Sequence, residues 1–317
     1  MSSSPSSSSI DGRSADEISA ASSIDETLVE NYSRILLITG AGQPNGIGQA
    51  VAREAVLKHK YAVVLGAHSR SSPKQLDQFV AELNKAAISS ASASDTSSPI
   101  SVAKWSKCDV TDWKSLQAFF SFAAAEFGGV DAVFCNAGIA APYRKATFKQ
   151  EHSPDYPTLD VNLTGALLTI EAALAFFTDH PRPNQVIVPT TSMCGFNPNP
   201  ANPVYCASKA ALIGATISFA RRLELSGKPV RLAAIAPYYL RTNLCPQAFV
   251  DRIGENNLVP MEAVVGVVLD LISPESRKHG VIVKVEPIQV ESDNQNSDNQ
   301  HQVLIEDWIP TPVDFVS

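Results

Sequence analysis

The sequence predicts a single α/β domain built on a doubly wound parallel sheet. Short apolar runs of β-forming residues alternate with helix-compatible stretches all the way from Ile35 to Val285. Several of these runs are apolar throughout rather than alternating, which is the pattern of strands covered by helices on both faces. The stretches between them are long enough for crossover helices, and strand–helix alternation of this kind specifies parallel strands.

Seven strands are expected, at Ile35–Thr39, Ala62–Gly66, Ile100–Trp105, Ala132–Cys135, Gln185–Val188, Arg231–Ile235 and Gly280–Val285. Helices are expected over Gly48–His59, Trp113–Phe127, Leu163–Phe177, Ser208–Leu225 and Met261–Ile272. No repeat and no composition break divides this region, so residues 31–287 read as one domain. Residues 1–30 are Ser-rich, with Asp11, Asp16 and Glu17 among the serines, and read as a solvated tail. Ser89–Pro99 and Glu291–Gln302 are polar and poor in large apolar residues, as surface loops are; the second belongs to an extension over 288–317.

Composition narrows the function. With 317 residues, 44% of them hydrophobic, a sizeable core is within reach. A net charge of −7 offers no basic patch, which argues against nucleic acid or an anionic membrane surface as partner. The longest apolar stretches, such as Met261–Ile272, are interrupted by Glu262 and Asp270, and none is expected to reach a membrane span of roughly 20 residues. The tail has neither the apolar core of a secretory signal nor the Arg-rich character of a mitochondrial one. The closing Phe315-Val316-Ser317 does not match the peroxisomal address. Cys108, Cys135, Cys194, Cys206 and Cys245 are far apart with no C-x-x-C pair, so no metal site or redox pair is expected. Their odd number suits reduced thiols and a cytoplasmic address.

The chemistry gathers in three places. The first strand runs into Thr39-Gly40-Ala41-Gly42-Gln43-Pro44-Asn45-Gly46-Ile47-Gly48 and then a helix. Glycines there let the backbone turn sharply and approach a pyrophosphate, whose charge sits at the helix N-terminus. The second place is Tyr205-Cys206-Ala207-Ser208-Lys209. In a helix, Tyr205 and Lys209 share one face. A free phenol titrates near 10, too high for good proton transfer at neutral pH, and a nearby ammonium would lower it. Taken alone, such a pair is usually a surface pair. Thirteen residues before Tyr205, however, Ser192 ends the strand-like run Val186-Ile187-Val188-Pro189-Thr190-Thr191. Open α/β sheets bind ligands at that end of their strands, so Ser192 is placed to bond a substrate oxygen beside Tyr205.

Together these motifs resemble the short-chain dehydrogenases/reductases, a family with a Rossmann-type fold. Its T-G-x-x-x-G-x-G loop is present with Pro44 and Asn45 as two extra residues; without them the loop would read T-G-A-G-Q-G-I-G. Its Asn-Ala-Gly after the fourth strand appears as Asn136-Ala137-Gly138, and its aspartate after the third strand as Asp109, followed by Val110. Its helix-borne asparagine matches Asn162. With Ser192, Tyr205 and Lys209, this completes the family's tetrad, and the likeness covers nearly all of residues 34–286.

The resemblance implies a nicotinamide cofactor held by Gly40, Gly42, Gly46, Ile47, Gly48, Asp109, Val110, Asn136, Ala137, Gly138, Tyr205, Lys209, Pro237, Leu240 and Thr242. It implies that Tyr205 donates a proton to a carbonyl oxygen polarised by Ser192. Lys209 would lower the tyrosine pKa and bind the nicotinamide ribose, and Asn162 would hold a relay water. A small-molecule substrate and a homodimer or homotetramer are further implications. Two features depart from the family. Its usual Pro-Gly after the sixth strand is here Pro237-Tyr238, placing a bulky side chain near the nicotinamide. Its Gly-Gly after the last strand is replaced by Glu286-Pro287.

In dinucleotide folds an acid ending the second strand binds the adenosine ribose and repels a 2′-phosphate. Here that position is Ala67, and His68, Ser69 and Arg70 follow. A guanidinium there favours NADP(H) over NAD(H).

Of three rival classes, a structural partner using the fold as a scaffold finds no support in the sequence, and the other two share part of this pattern. A nucleotide-sugar epimerase or dehydratase would show G-x-x-G-x-x-G and a substrate domain after the sixth strand. A non-catalytic dinucleotide sensor would have little need of an acid/base tyrosine. The flanks of the substrate pocket, Ala140–Pro157 and Tyr238–Asn257, carry no charge cluster, so the expected substrate is small and largely uncharged. The Ser-rich tail and extra loops suit a specialised biosynthetic pathway by association alone.

Overall fold

A computed structural model of the chain describes residues 32, 34–89, 101–140, 156–288 and 303–310. Strands β1 (Arg34–Ile38), β2 (Tyr61–Ala67), β3 (Ala103–Lys107), β4 (Ala132–Cys135), β5 (Val186–Pro189) and β6 (Arg231–Leu232) form a parallel sheet in the order β3-β2-β1-β4-β5-β6. After a break at Ala233, β7 (Ala234–Pro237) pairs in parallel with β8 (Ile282–Pro287), and β8 pairs antiparallel with β9 (Val303–Trp308). A bridge between Thr190 and Ile235, with the Thr191 amide donating to the Ile235 carbonyl at 2.7 Å, carries the sheet from β5 across to β7. The order reverses between β1 and β4, the position at which open α/β sheets leave a ligand crevice.

Side chains alternate across each central strand, as the two-residue period requires. Leu36, Ile38, Val63 and Leu65 face one core with α1 (Ile47–His59) and α7 (Met261–Ile272), and its neighbour α2 (Pro73–Ser89). Leu37, Val64 and Val133 face the other, with α3 (Trp113–Phe127), α4 (Ala166–Asp179) and α5 (Pro203–Leu225). Helix ends follow local chemistry. Asp112 caps α3 by accepting from the Lys114 amide at 3.0 Å, and Gly128, at φ 79°, closes it. Pro203 opens α5 at a position whose missing N–H costs nothing. A short helix, α6 (Gln247–Ile253), lies between β7 and α7.

Most expected strands and helices are found within a few residues of their expected bounds. The sixth expected strand is split at Ala233, and the seventh begins only after Gly280, whose φ of 67° turns the chain. Helices α2 and α6 and strand β9 lie outside the expected elements; β9 falls in the extension. Ser89 closes α2, while residues 1–30, 90–99, 141–155 and 291–302 of the expected tail, loops and pocket flank lie outside the described residues. The expectation that no stretch has the length and apolarity of a membrane span is corrected. Pro157–Asp179 and Pro203–Leu225, 23 residues each, have both. They pack against β4–β6 and carry the candidate site.

Candidate active site

The crevice at the β1/β4 reversal is built for close backbone approach. Gly40 has φ 69°, and a Cβ there would lie 2.5 Å from the Ala137 Cα. The Asn136 side-chain amide donates to the Thr39 and Gly40 carbonyls, both at 3.2 Å, tying the glycine loop to the end of β4. A Cβ on Gly48 would meet Asn136 Nδ2 at 3.0 Å and Ala41 Cα at 3.2 Å. The extra residues Pro44 and Asn45 form a tight turn closed by the Gly46 amide donating to the Gln43 carbonyl at 3.0 Å. Gly46 then caps α1 with no side-chain acceptor of its own, so the first-turn N–H groups of Ile47, Gly48 and Gln49 have no capping side chain. An anionic diphosphate fits such a terminus.

The end of β2 carries the adenosine-side residues. Ala67 is buried, and the turn after it is closed by the Ser71 amide on the His68 carbonyl at 2.9 Å. His68 Nε2 lies 3.5 Å from an Asp109 oxygen, and the Arg70 amide donates to His68 Nδ1 at 3.1 Å. Bonds from the Thr111 hydroxyl and amide hold the Asp109 carboxyl below its ordinary pKa, with His68 and Arg70 adding to the effect. Val110 is buried against Gly165, where a Cβ would lie 2.5 Å from its Cγ2.

The second half of the site lies at the ends of β4, β5 and β7 and the start of α5. Asn162 sits in a π-helical turn, Asp160–Gly165, just before α4. Its Oδ1 accepts from the Ile139 amide at 2.8 Å, and its Nδ2 donates to the Ile139 carbonyl at 2.9 Å and the Ser208 hydroxyl at 3.3 Å. The buried amide thereby joins the β4 loop to α5, which leaves one Oδ1 lone pair for a further donor. Ser192 starts a 3₁₀ turn, Met193–Gly195, with its hydroxyl accepting from the Cys194 amide at 3.2 Å. Tyr205 and Lys209 stand one turn apart on α5, with the Lys209 ammonium 5.7 Å from the tyrosine ring centre.

The electrostatics differ from the expected phenol–ammonium couple. Burial pushes the Tyr205 phenol up to about 12, and the neighbouring Ser192 hydroxyl pulls it part of the way down. Burial also brings the Lys209 ammonium down to about 8. That ammonium donates to the Thr190 carbonyl at 2.7 Å rather than to the phenol. Lys209 therefore anchors α5 to the end of β5, and the Ser192 hydroxyl donates to the Pro237 carbonyl at 3.4 Å.

Ile47, Asn136, Gly138, Ser192, Tyr205, Lys209, Pro237, Leu240 and Thr242 line one cavity of about 350 Å³. Gly40, Gly42, Gly46, Gly48, His68, Ser69, Arg70, Asp109, Val110, Ala137 and Asn162 do not line it. Tyr238 lines the cavity and packs edge-on against Tyr239, ring centres 4.7 Å apart. Sequence reasoning missed Asn199 and placed Tyr239 and Phe249 only within the pocket flank Tyr238–Asn257, without singling them out. The Asn199 amide donates to the Tyr239 hydroxyl at 2.8 Å, and the Phe249 ring lies 4.7 Å from that of Tyr239. It also missed Ser71, whose hydroxyl occupies the space of a Cβ on Gly42. No local spacing marks these residues, because only the folded chain brings them together.

A Rossmann-type sheet with a tyrosine–lysine helix at its crevice defines a class of dinucleotide-linked oxidoreductases. Residues 34–252 match the family described as short chain dehydrogenase, and the chain belongs to it. The family binds nicotinamide dinucleotides and acts on CH–OH and C=O groups. A short-chain dehydrogenase/reductase of Penicillium rubens is 27% identical over 196 residues, 58% of this chain and 69% of that protein. The mouse 15-hydroxyprostaglandin dehydrogenase [NAD(+)] is 30% identical over 210 residues, 66% of this chain and 68% of its own. A short-chain type dehydrogenase/reductase from Mycobacterium marinum superposes with a TM-score of 0.66 at 26% identity, over 82% of this chain and 96% of that structure. Across such curated relatives, the match spans from 42% to 80% of the relative's own length.

Proposed function

We propose that the chain is an NADP(H)-preferring oxidoreductase that interconverts a carbonyl and a secondary alcohol on a small substrate with a largely uncharged body. The observation that carries this reading is the meeting of Ser192, Tyr205 and Lys209 in one cavity at the carboxyl ends of the strands. The first turn of α1 and the glycine loop would hold the diphosphate, and Asn136, Gly138, Pro237, Leu240 and Thr242 would border the nicotinamide. When bound, the nicotinamide supplies or accepts the hydride.

The chain's own residues do the proton work. In the reducing direction Tyr205 gives its proton to the substrate oxygen, and Ser192 donates a hydrogen bond to that oxygen as charge develops on it. The phenol is protonated at neutral pH, as the donor in reduction must be; burial makes it a weaker acid, and the Ser192 hydroxyl offsets part of that rise. Asn162 holds the loop carrying Gly138 and Ile139 against α5, and its remaining lone pair would accept from a relay water.

Tyr205→Phe keeps the ring and removes the proton. It should lower kcat by about 10³-fold or more, with cofactor Kd changed only a few-fold. Robust ketone reduction by the purified variant would sink the assignment.

Cofactor choice rests on the end of β2, where the closing position is Ala67 rather than an acid and Arg70 supplies a fixed positive charge. NADPH should give the higher kcat/KM, and Arg70→Ala should weaken NADPH by about tenfold while sparing NADH. A clear NADH preference, or equal losses for both cofactors, refutes this part of the reading.

A further inference from the structure

The described wall of the catalytic cavity holds no Asp or Glu, although the chain has 32 of them against 25 Lys and Arg. Its charged lining residues are both cations, the buried Lys209 at the base and the exposed Arg252 on α6. The two arginines that flank this wall are treated differently. Arg241 is ion-paired with Glu255 and donates to Gln247 Oε1 at 2.9 Å. Arg252 has no carboxylate partner among the described residues. Its guanidinium instead lies over the Phe249 ring, 4.9 Å from the centre. The adjacent Asp251 accepts from Gln247 Nε2 at 2.8 Å, which engages that acid within α6.

Stacking uses the flat face of a guanidinium and leaves its edge, with five N–H donors, free. That edge matches a carboxylate in a two-bond geometry. The same cavity has an apolar and aromatic set of lining residues, Tyr238, Tyr239, Leu244, Pro246 and Phe249, beside the neutral amides of Asn199 and Asn202.

We propose that Arg252 binds a carboxylate on the substrate, so that the enzyme acts on an apolar keto acid or hydroxy acid. The reacting carbon sits at Tyr205, the apolar body lies along the aromatic wall, and the acid group reaches Arg252 at the mouth. This deepens the oxidoreductase reading above and rests on it. It also separates body from end group: the substrate is uncharged where the wall is apolar and carries its one charge where the wall supplies the counter-charge. Because Arg252 is exposed, its attraction is screened by salt.

The test uses 5-oxo-5-phenylpentanoate and its methyl ester as paired ketones, with NADPH and the full chain. At low salt the acid should exceed the ester in kcat/KM by about tenfold, the ratio shrinking as salt is raised. Arg252→Gln should bring the ratio close to one by slowing the acid alone, with the ester rate and the NADPH Kd unchanged. A wild-type ratio near one overturns the proposal, as does a ratio that survives Arg252→Gln. A weakened NADPH Kd with equal losses for acid and ester would assign Arg252 to the cofactor instead, and overturns it too. If neither ketone turns over, binding of the pair to NADPH-loaded enzyme, followed by NADPH fluorescence, reads the same ratio. Failure to reduce any ketone counts against the oxidoreductase reading, whereas the acid-to-ester ratio judges Arg252.

Discussion

At the residue scale, Lys209 is a cation held almost out of water, 4% exposed, with one carbonyl and the face of one ring as company. Desolvation disfavours its charged form, which is why its pKa falls to about 8. In the unfolded chain the same amine titrates near 10.5, so the fold bears a penalty for the charge at every pH below 8. That penalty is released as the pH rises from 8 towards 10.5. Lys209→Met carries no such penalty. The wild type should therefore gain on the variant by on the order of 2–3 kcal/mol between pH 7 and pH 10. Tyr205 begins to ionise in the unfolded chain towards pH 10, but it does so in both proteins, so its contribution cancels from the gap between them. Urea unfolding of both proteins at several pH values measures the gap, and a gap that does not change with pH contradicts the account. Tyr205 and Lys209 were legible in the sequence because a single helical turn relates them. Asn199 was not, and Tyr239 and Phe249 were legible only as members of the flank Tyr238–Asn257, since their meeting depends on where β7 and α6 end up.

At the element scale, the two ends of the sheet do different work. The carboxyl ends carry the crevice, and the opposite end is held by Asp131, 3% exposed, just before β4. One of its oxygens accepts from the Ile35 amide at 2.7 Å and the other from Arg182 Nε at 2.8 Å. Its own carbonyl accepts from the Val186 amide at 3.0 Å. One side chain and its peptide thus align β1, β4 and β5, the strands flanking the cofactor crevice. Asp131→Ala would leave the Ile35 amide and the Arg182 guanidinium without their acceptor. The cost should be about 2–4 kcal/mol in denaturant unfolding, with KM for the cofactor near its wild-type value, because the change lies at the far end of the strands. A loss under about 0.5 kcal/mol would mean that the strands align without it. The central strands were legible because burial on both faces leaves runs such as Leu36-Leu37-Ile38 with no polar break. Strand β9 was not, because its pattern is mixed: Leu304, Ile305, Glu306 and Asp307 are all exposed, and among the described strands it pairs with β8 alone.

At the scale of the whole molecule, β9 closes the sheet and ties that closure to the active site. It covers the outer edge of β8 along the full register from Ile282 opposite Trp308 to Pro287 opposite Val303. Ion pairs of Lys278 with Asp307 and of Lys284 with Glu306 reinforce the pairing, though exposed pairs of this kind add little each. More telling is Trp308, which meets Phe196 edge-on with ring centres 5.2 Å apart. Phe196 follows the 3₁₀ turn that Ser192 begins, and its amide donates to the Met193 carbonyl at 3.0 Å. Ending the chain at residue 288 would bare the β8 edge and the Phe196 ring together. An uncovered strand edge is a template for pairing with another chain. The truncated protein should therefore associate beyond the parent's oligomeric state in light scattering, melt several degrees lower, and lose kcat as the Ser192 turn loosens. Trp308→Ala keeps β9 and its edge pairing while removing the ring contact, so it should stay at the parent's size and lose about 1–2 kcal/mol. Unchanged scattering and melting in the truncated chain would show that β8 tolerates an open edge. A Trp308→Ala protein with full stability but a lowered kcat would instead assign the ring to positioning Ser192 rather than to holding the sheet.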